Sequence, residues 1–324
     1  MIPVSSRIKA AFQSDSMKKT YLIDFVNIGA TIANDSIASD SISITEPLCS
    51  EEQLHFGRCE AATFELEVAY SDYSFKGQIF DVYLVLGDYE DEPFTVGRYV
   101  IDEETIESDR LSKTLVAYDI MYILNTLDVT YWAYNQTFPM TIKQLRDSLM
   151  EYVGQEQATR ELPNDGVVLD GIVSTESYTE VTFEQVMTAI CEWNGCFGHI
   201  NREGLFDYIF LPVADIEETY PSSETFPSHD LFPASVRSKN FFIPQNLTKS
   251  DMEWSNYMCK TVDIIQVRNK SGQVIREYGI PDKTTTTNVY VIQNNMLTDY
   301  ISDSSLDTAV QNFANTIKGI TYKP

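Results

Sequence analysis

Basic residues are scarce in this 324-residue chain: 23 Lys and Arg stand against 48 Asp and Glu, for a formal net charge of −25. A protein that grips nucleic acid neutralises phosphates with clustered Lys and Arg, so the deficit argues against that mode of binding. It suits a surface or channel that repels nucleic acid. Long apolar runs are missing too. None is long enough to cross a bilayer, and Met1-Ile2-Pro3-Val4 is followed at once by polar residues rather than by the apolar segment of a signal peptide. Cysteine is sparse and odd in number: Cys49, Cys59, Cys191, Cys196 and Cys259. That count reads as reduced thiols rather than a disulfide framework, and predicts a chain folded in a cytoplasm.

The usual signatures of chemistry are missing as well. There is no GxGxxG and no GxxxxGK[ST], hence no phosphate cradle. His55 and Cys59 lie four apart but lack a third orienting group, and Cys191 and Cys196 lack a second ligand pair at zinc-site spacing. Acidic clusters such as Asp102-Glu103-Glu104 do not follow the spacing of a calcium loop. The expectation is no enzyme, no cofactor and no metal.

What is present is β structure. Hydrophobic residues make up 43% of the chain and aromatics 12%, with nineteen tyrosines, enough to build real cores. Thr63 to Tyr70 alternates strictly, with Phe64, Leu66, Val68 and Tyr70 on one face, the period of a half-buried strand. Gly77 opens a second run, Ile79 to Leu86. Val96 to Ile101 leads through an acidic bend to Arg110, and Leu111 to Ala117 ends at Tyr118-Asp119. Upstream, Lys18 to Phe25 reads as a strand, and residues 31–45, rich in Ser and Asp, as a loop returning into a short strand at Ser41–Thr45.

From Tyr118 the period becomes helical. Ile120, Met121, Ile123, Leu124 and Leu127 suit a short helix; Ile142, Leu145, Leu149 and Val153 mark a second, ended by Gly154. Thr182 and Gln185 form a capping box for a third, whose stripe is Phe183, Val186, Met187, Ile190 and Trp193 before Gly195. A hairpin follows, Cys196–Ile200 and Leu205–Leu211, turning at Asn201-Arg202-Glu203-Gly204. Residues 212–246 carry five prolines and read as a crossing segment. Beyond it, Cys259–Arg268 and Gln273–Tyr278 suggest a second hairpin, Asn288–Ile292 a strand, and Leu306, Val310, Phe313 and Ile317 a last helix ending at Gly319. The expected fold is mainly β: antiparallel barrel-like domains at 1–128 and 237–324, the latter an incomplete barrel with an open edge, flanking an α+β helix–hairpin insertion at 129–236.

The order of these elements is similar to a known family. Gly57-Arg58 before the first alternating strand, then Lys76-Gly77, Gly97-Arg98-Tyr99-Val100 and Ala117-Tyr118-Asp119, stand where a particular family has its leading Gly, "KG", "G-x-[FY]-hydrophobic" and "AYD" steps. Trp193-Asn194-Gly195 with the hairpin to Gly204, and Asn294-Asn295-Met296-Leu297 with the helix running to Tyr322-Lys323-Pro324, continue the series; Asn-Met replaces the usual Asn-Pro. The chain thereby resembles, from about Glu46 onward, the tail-tip hub (tail-associated, Tal-like) proteins of phages and prophages of Gram-positive bacteria, related to the central baseplate hub of contractile tails. The resemblance implies a structural virion protein, assembled in the host cytoplasm as a homotrimer whose two barrel-like domains per chain form a six-fold-like ring at the tail tip. Its implied partners are the distal tail ring and the tape measure protein, with DNA passing through the lumen unbound and no membrane insertion. Hubs of this family usually continue past "YxP", and many carry a C-terminal fibre, adhesin or hydrolase; no such role is carried over. Rival readings are the hub of a contractile phage-like particle, a cell-wall hydrolase and a carbohydrate-binding module. Aromatics spread evenly through the strands argue against the last.

Overall fold

The computed structural model describes residues 18–49, 54–87, 93–174, 178–211, 260–280 and 288–322, together with Arg7. The proline-rich crossing segment, Cys259 and Lys323-Pro324 lie outside them.

The first half is one antiparallel sheet. In chain order its strands are β1 (Lys19–Phe25), β2 (Ala30–Ala33), β3 (Ser43–Thr45), β4 (Thr63–Ala69), β5 (Ile79–Leu86), β6 (Phe94–Ile106) and β7 (Ser112–Tyr118), and they lie side by side as β2-β1-β5-β6-β7-β4-β3. The alternation read from sequence is real: Phe64, Leu66 and Val68 are buried with Phe80, Val82, Tyr99, Ile101, Leu115 and Ala117 in one core. Tyr70, expected to share that face, falls past the end of β4 and is exposed.

Segment 30–45 is not a plain loop. Gly29, at φ 60°, turns the chain back so that β2 pairs with β1, and β3 then pairs with β4 at the opposite side of the sheet. Between them, Asn34 Oδ1 accepts from Tyr21 N in β1 (3.1 Å), and Ile37 bridges Val68 in β4. Three residues reach at most about 10 Å. The two flanks of the β1-β5-β6-β7-β4 ladder therefore lie close together, and the sheet must curl round its core. It is strapped rather than laddered shut among the described residues. Ser- and Asp-rich composition hid the strap because hydrogen bonds to both flanks, not apolar alternation, hold it: Ala38 N and Ser41 Oγ both donate to Glu67 O.

The acidic bend expected after Ile101 is likewise strand. β6 runs on to Ile106, with a bulge at Ile101–Glu103 that re-aims its side chains. Glu104 then reaches the buried Lys113 (2.5 Å) and accepts from Phe75 N (2.8 Å), which holds its carboxyl below the ordinary range even though burial opposes this. Tertiary partners for the charges made strand out of a sequence that looks like a solvated turn.

The remaining elements are α1 (Ile120–Asn125), α2 (Thr130–Tyr134), β8 (Met140–Thr141), α3 (Ile142–Val153), β9 (Val168–Leu169), α4 (Phe183–Asn194), β10 (Phe197–Ile200), β11 (Phe206–Ile209), β12 (Lys260–Thr261), β13 (Ile264–Arg268), β14 (Val274–Gly279), β15 (Val289–Ile292), α5 (Asp303–Ile317) and β16 (Thr321–Tyr322). Both long helices of the middle segment start on complete capping boxes, Thr141/Gln144 and Thr182/Gln185, and stop at left-handed glycines, Gly154 and Gly195. The five-residue α2 carries no periodic stripe long enough to see in sequence, and packing of Trp132 and Ala133 holds it.

The expected Cys259–Arg268 strand divides in two: β12 pairs with β16, and β13 lies between β14 and β15. That last sheet is mixed rather than antiparallel, since β15 runs parallel to β13. One apolar core, from Phe56 to Ile320, takes residues from α1, α3, α4, the β10–β11 hairpin, the β13 sheet and α5. The 129–236 and 237–324 segments thus share buried surface, with α4 packed against α5.

Candidate functional site

Helix α4 is the axis of this second core. Phe183, Val186, Met187, Ile190 and Trp193, the stripe read from the sequence, are all fully buried. Its other stripe, Gln185, Thr188, Ala189 and Glu192 at spacings of three, one and three, lines a cleft of about 620 Å³. The loop through His55, Phe56 and Arg58, the residues Ser174 and Thr179, and the Gln293–Met296 turn supply the other walls.

Glu192 stands at the junction. Its Oε2 accepts from Asn295 Nδ2 (2.7 Å) and its Oε1 from Tyr290 OH (3.4 Å); the same tyrosine oxygen accepts from Phe56 N (3.0 Å). Asn295 Nδ2 also donates to Ala189 O, and Asn295 Oδ1 accepts from Leu297 N. One carboxylate thus ties the loop entering β4, the central helix and the segment leading into α5. Burial pushes its pKa up to about 7, although the hydrogen bonds and the Arg58 charge pull the other way. The folded state therefore holds this proton more tightly than the unfolded chain does. The resulting stabilisation is complete below the ordinary value of 4.5 and is lost as pH rises towards 7. Glu192→Gln keeps the shape without the titration, so melting temperatures of the variant, measured from pH 5 to 8, are expected to fall less steeply than those of the parent.

The residues singled out from sequence divide into groups. Gly57, Arg58, Trp193, Gly195, Asn295 and Leu297 surround α4. Gly57 has φ 96°, and a Cβ there would lie 2.5 Å from Thr188 O and 2.7 Å from Glu192 Cβ, so only glycine lets the loop lie on the helix. Gly195 packs on Thr316 and Ile317 of α5, and Leu297 is fully buried. Gly77, Gly97, Tyr118 and Asp119 belong to the curled sheet instead. Gly77 turns into β5 and donates to Ile101 O (2.7 Å), and Gly97 lies under the Tyr99 ring. Tyr118 stacks on Tyr122 (4.6 Å), and Asp119 caps α1 while accepting from Ala62 N. Gly204, at the tip of the β10–β11 hairpin, is apart from both groups.

Glu192 and Tyr290 escaped the sequence reading. A single acid one residue before a core tryptophan carries no spacing signal, and its partners lie about a hundred residues away. Cys59, Cys191 and Cys196 are free and buried. Cys196 N donates to Cys191 O (3.1 Å), so that pair is the apolar contact of the Schellman turn ending α4. Among the described residues no group of three or more His, Cys, Asp or Glu is arranged to hold a metal ion, and no helix is long and apolar enough to cross a membrane.

No family model matches the sequence, and no curated protein matches it. Solved structures similar to the chain include the 43 kDa tail protein of prophage MuSo2 from Shewanella oneidensis (11% identity, 94% of this chain and 80% of that one, TM-score 0.46). A second is the tail protein from Neisseria meningitidis MC58 (12% identity, 91% and 74%, TM-score 0.43). A third, the virion of a native gene transfer agent particle, aligns over 38% of this chain and 47% of that one (12% identity, TM-score 0.27).

Proposed function

We propose that this chain is a structural virion protein, the protomer of a trimeric hub that closes the distal end of a phage tail tube and joins it to the distal tail ring. The observation that carries the proposal is the pair of open edges on the β14-β13-β15 sheet. Each outer strand pairs only with β13 among the described residues, and each begins on an exposed apolar residue, Val274 and Val289. Exposed edges of this kind are normally covered, and a closed ring of copies covers them without growing into fibres. The ordered motif series from Gly57 to Leu297, with its likeness to tail-tip hubs, favours a tail ring over other ring assemblies. A net charge of −25 suits a lumen that lets DNA and the tape measure protein pass without adhering.

The test is the mass in solution. The expected result is a species three times the mass of the chain, with three-fold rings in low-resolution images. A protein that stays monomeric at high concentration, and in the presence of its distal tail ring, would overturn the assignment.

A further inference from the structure

The curled sheet is apolar at one end. Among the described residues its exposed large apolar side chains are Val26, Ile28, Tyr70, Tyr73, Ile106 and Leu111. Antiparallel pairing brings all six together. The end of β1, the start of β5, the end of β6, the start of β7 and the end of β4 lie at the same end of the sheet, and the six flank these strand ends. Single apolar residues scattered over a surface are ordinary; six gathered at one end mark a place of contact.

Hydrogen bonds and ring contacts join them into one surface. Tyr70 N donates to Leu111 O (2.8 Å), and Ile106 pairs with Lys113 on the neighbouring strand. The buried Lys113 ammonium forms the floor: it donates to Tyr73 O (2.8 Å) and Glu104 Oε1 (2.5 Å) and lies 5.4 Å from the centre of the Tyr70 ring. Tyr73 packs edge-on against Phe75 (5.2 Å), which stacks on Phe25 (5.4 Å), next to Val26. At the rim the β6–β7 turn is fixed by Arg110, left-handed at φ 58°, whose N donates to Glu107 O (2.9 Å). Leu111 N donates to Asp109 Oδ1 (2.8 Å) in the same turn, which holds the leucine out, 72% exposed. A backbone fixed in this way has little ordering entropy left to lose on contact.

From this placement we infer that the end of the curled sheet is a docking surface for a different protein, one that presents aliphatic side chains flanked by Lys or Arg. Charge selects that partner. Beside the apolar residues stand exposed Asp72, Glu103 and Asp109 and half-buried Glu107, against the exposed bases Lys76 and Arg110. Isologous pairing with a second copy would set the same carboxylates against one another. A basic partner meets them with opposite charge, and the net charge of −25 steers it in from a distance. Strand addition does not fit here. The surface is built of strand ends and turns, so inserted side chains rather than a ladder must carry the contact.

The experiment uses the full chain and three short fluorescent peptides at physiological ionic strength: alternating Leu and Lys, alternating Leu and Glu, and alternating Ser and Lys. The expected result is saturable one-site binding of the Leu–Lys peptide, with both controls weaker by about tenfold or more. Leu111→Ser and Ile106→Thr leave the charge unchanged, and each weakens the Leu–Lys peptide about fivefold or more, the loss of one buried aliphatic contact. Both side chains are exposed, so melting temperatures and sedimentation stay close to the parent's and lost binding is separable from misfolding. No saturable binding of the Leu–Lys peptide, a control peptide that binds as tightly, or unchanged affinity in either variant would each overturn the docking surface. An oligomer that dissociates in Leu111→Ser would overturn it too, by making this end a contact between copies. The hub assignment rests on the β14 and β15 edges, so it stands after any of these failures.

Discussion

Trp193→Ala is expected to destabilise the protein by about 3–5 kcal/mol, read as a large drop in the denaturant midpoint of the second core. The side chain is fully buried, on the last turn of α4, in the cluster that joins α3, the β10–β11 hairpin and α5. Its neighbours are anchored: Asn164 Nδ2 donates both to Trp193 O and to Ala309 O of α5, and Asn164 N donates to Asn194 Oδ1. Walls fixed in this way cannot collapse into the vacated volume, which places the loss at the upper end for large-to-small changes. The indole N–H has no hydrogen-bond partner among the described residues, so what matters is volume. Trp193→Phe should therefore recover much of the loss. Equal midpoints for Trp193→Ala and the parent would mean that α4 is not the axis of this core.

A second large effect is expected at Arg146. Its guanidinium, with a side chain only 3% exposed, forms a fork on Asp165 (Nε to Oδ1 and Nη2 to Oδ2, both 2.9 Å) and also donates to Gln157 and to the carbonyl of Arg160. Leu162 N donates to the same carboxylate, so the pair pins the 157–165 loop to α3. Removing one member leaves the other charge buried without its counter-ion. Asp165→Ala is expected to lower stability by about 3–5 kcal/mol, well beyond what an exposed pair such as Lys143–Asp147 contributes. A double change to apolar residues of similar volume, Arg146→Met with Asp165→Leu, should lie nearer the parent than the single Asp165→Ala change. A thermodynamic cycle over the three variants measures the coupling. A coupling near zero would show that the fork is not a unit.

Much of the frame is determined by local pattern. Alternation defines β4 and β5 because a half-buried strand must place its apolar residues two apart, and the 182–195 stretch carries both its cap and its glycine stop. These features rest on neighbours within a turn or a strand, so they are written in consecutive residues. Arg146 illustrates where that legibility ends. On sequence spacing it is one more charge on an amphipathic helix; only Asp165, Gln157 and Tyr208, brought in by tertiary packing, make it a core residue. The acidic end of β6 is strand for the same reason: Lys113 and the Phe75 amide receive Glu104. The strap at 34–42 depends on two strands that are distant in sequence meeting across a curled sheet. The Glu192 junction needs Tyr290 and Asn295 within reach of one carboxylate and Phe56 N on the Tyr290 hydroxyl, contacts between positions 98 to 234 residues apart. Local order was set by period and capping. Which charges are buried, which edges stay open and where the cleft lies were decided by long-range packing, because a polar group's environment is a property of the folded whole.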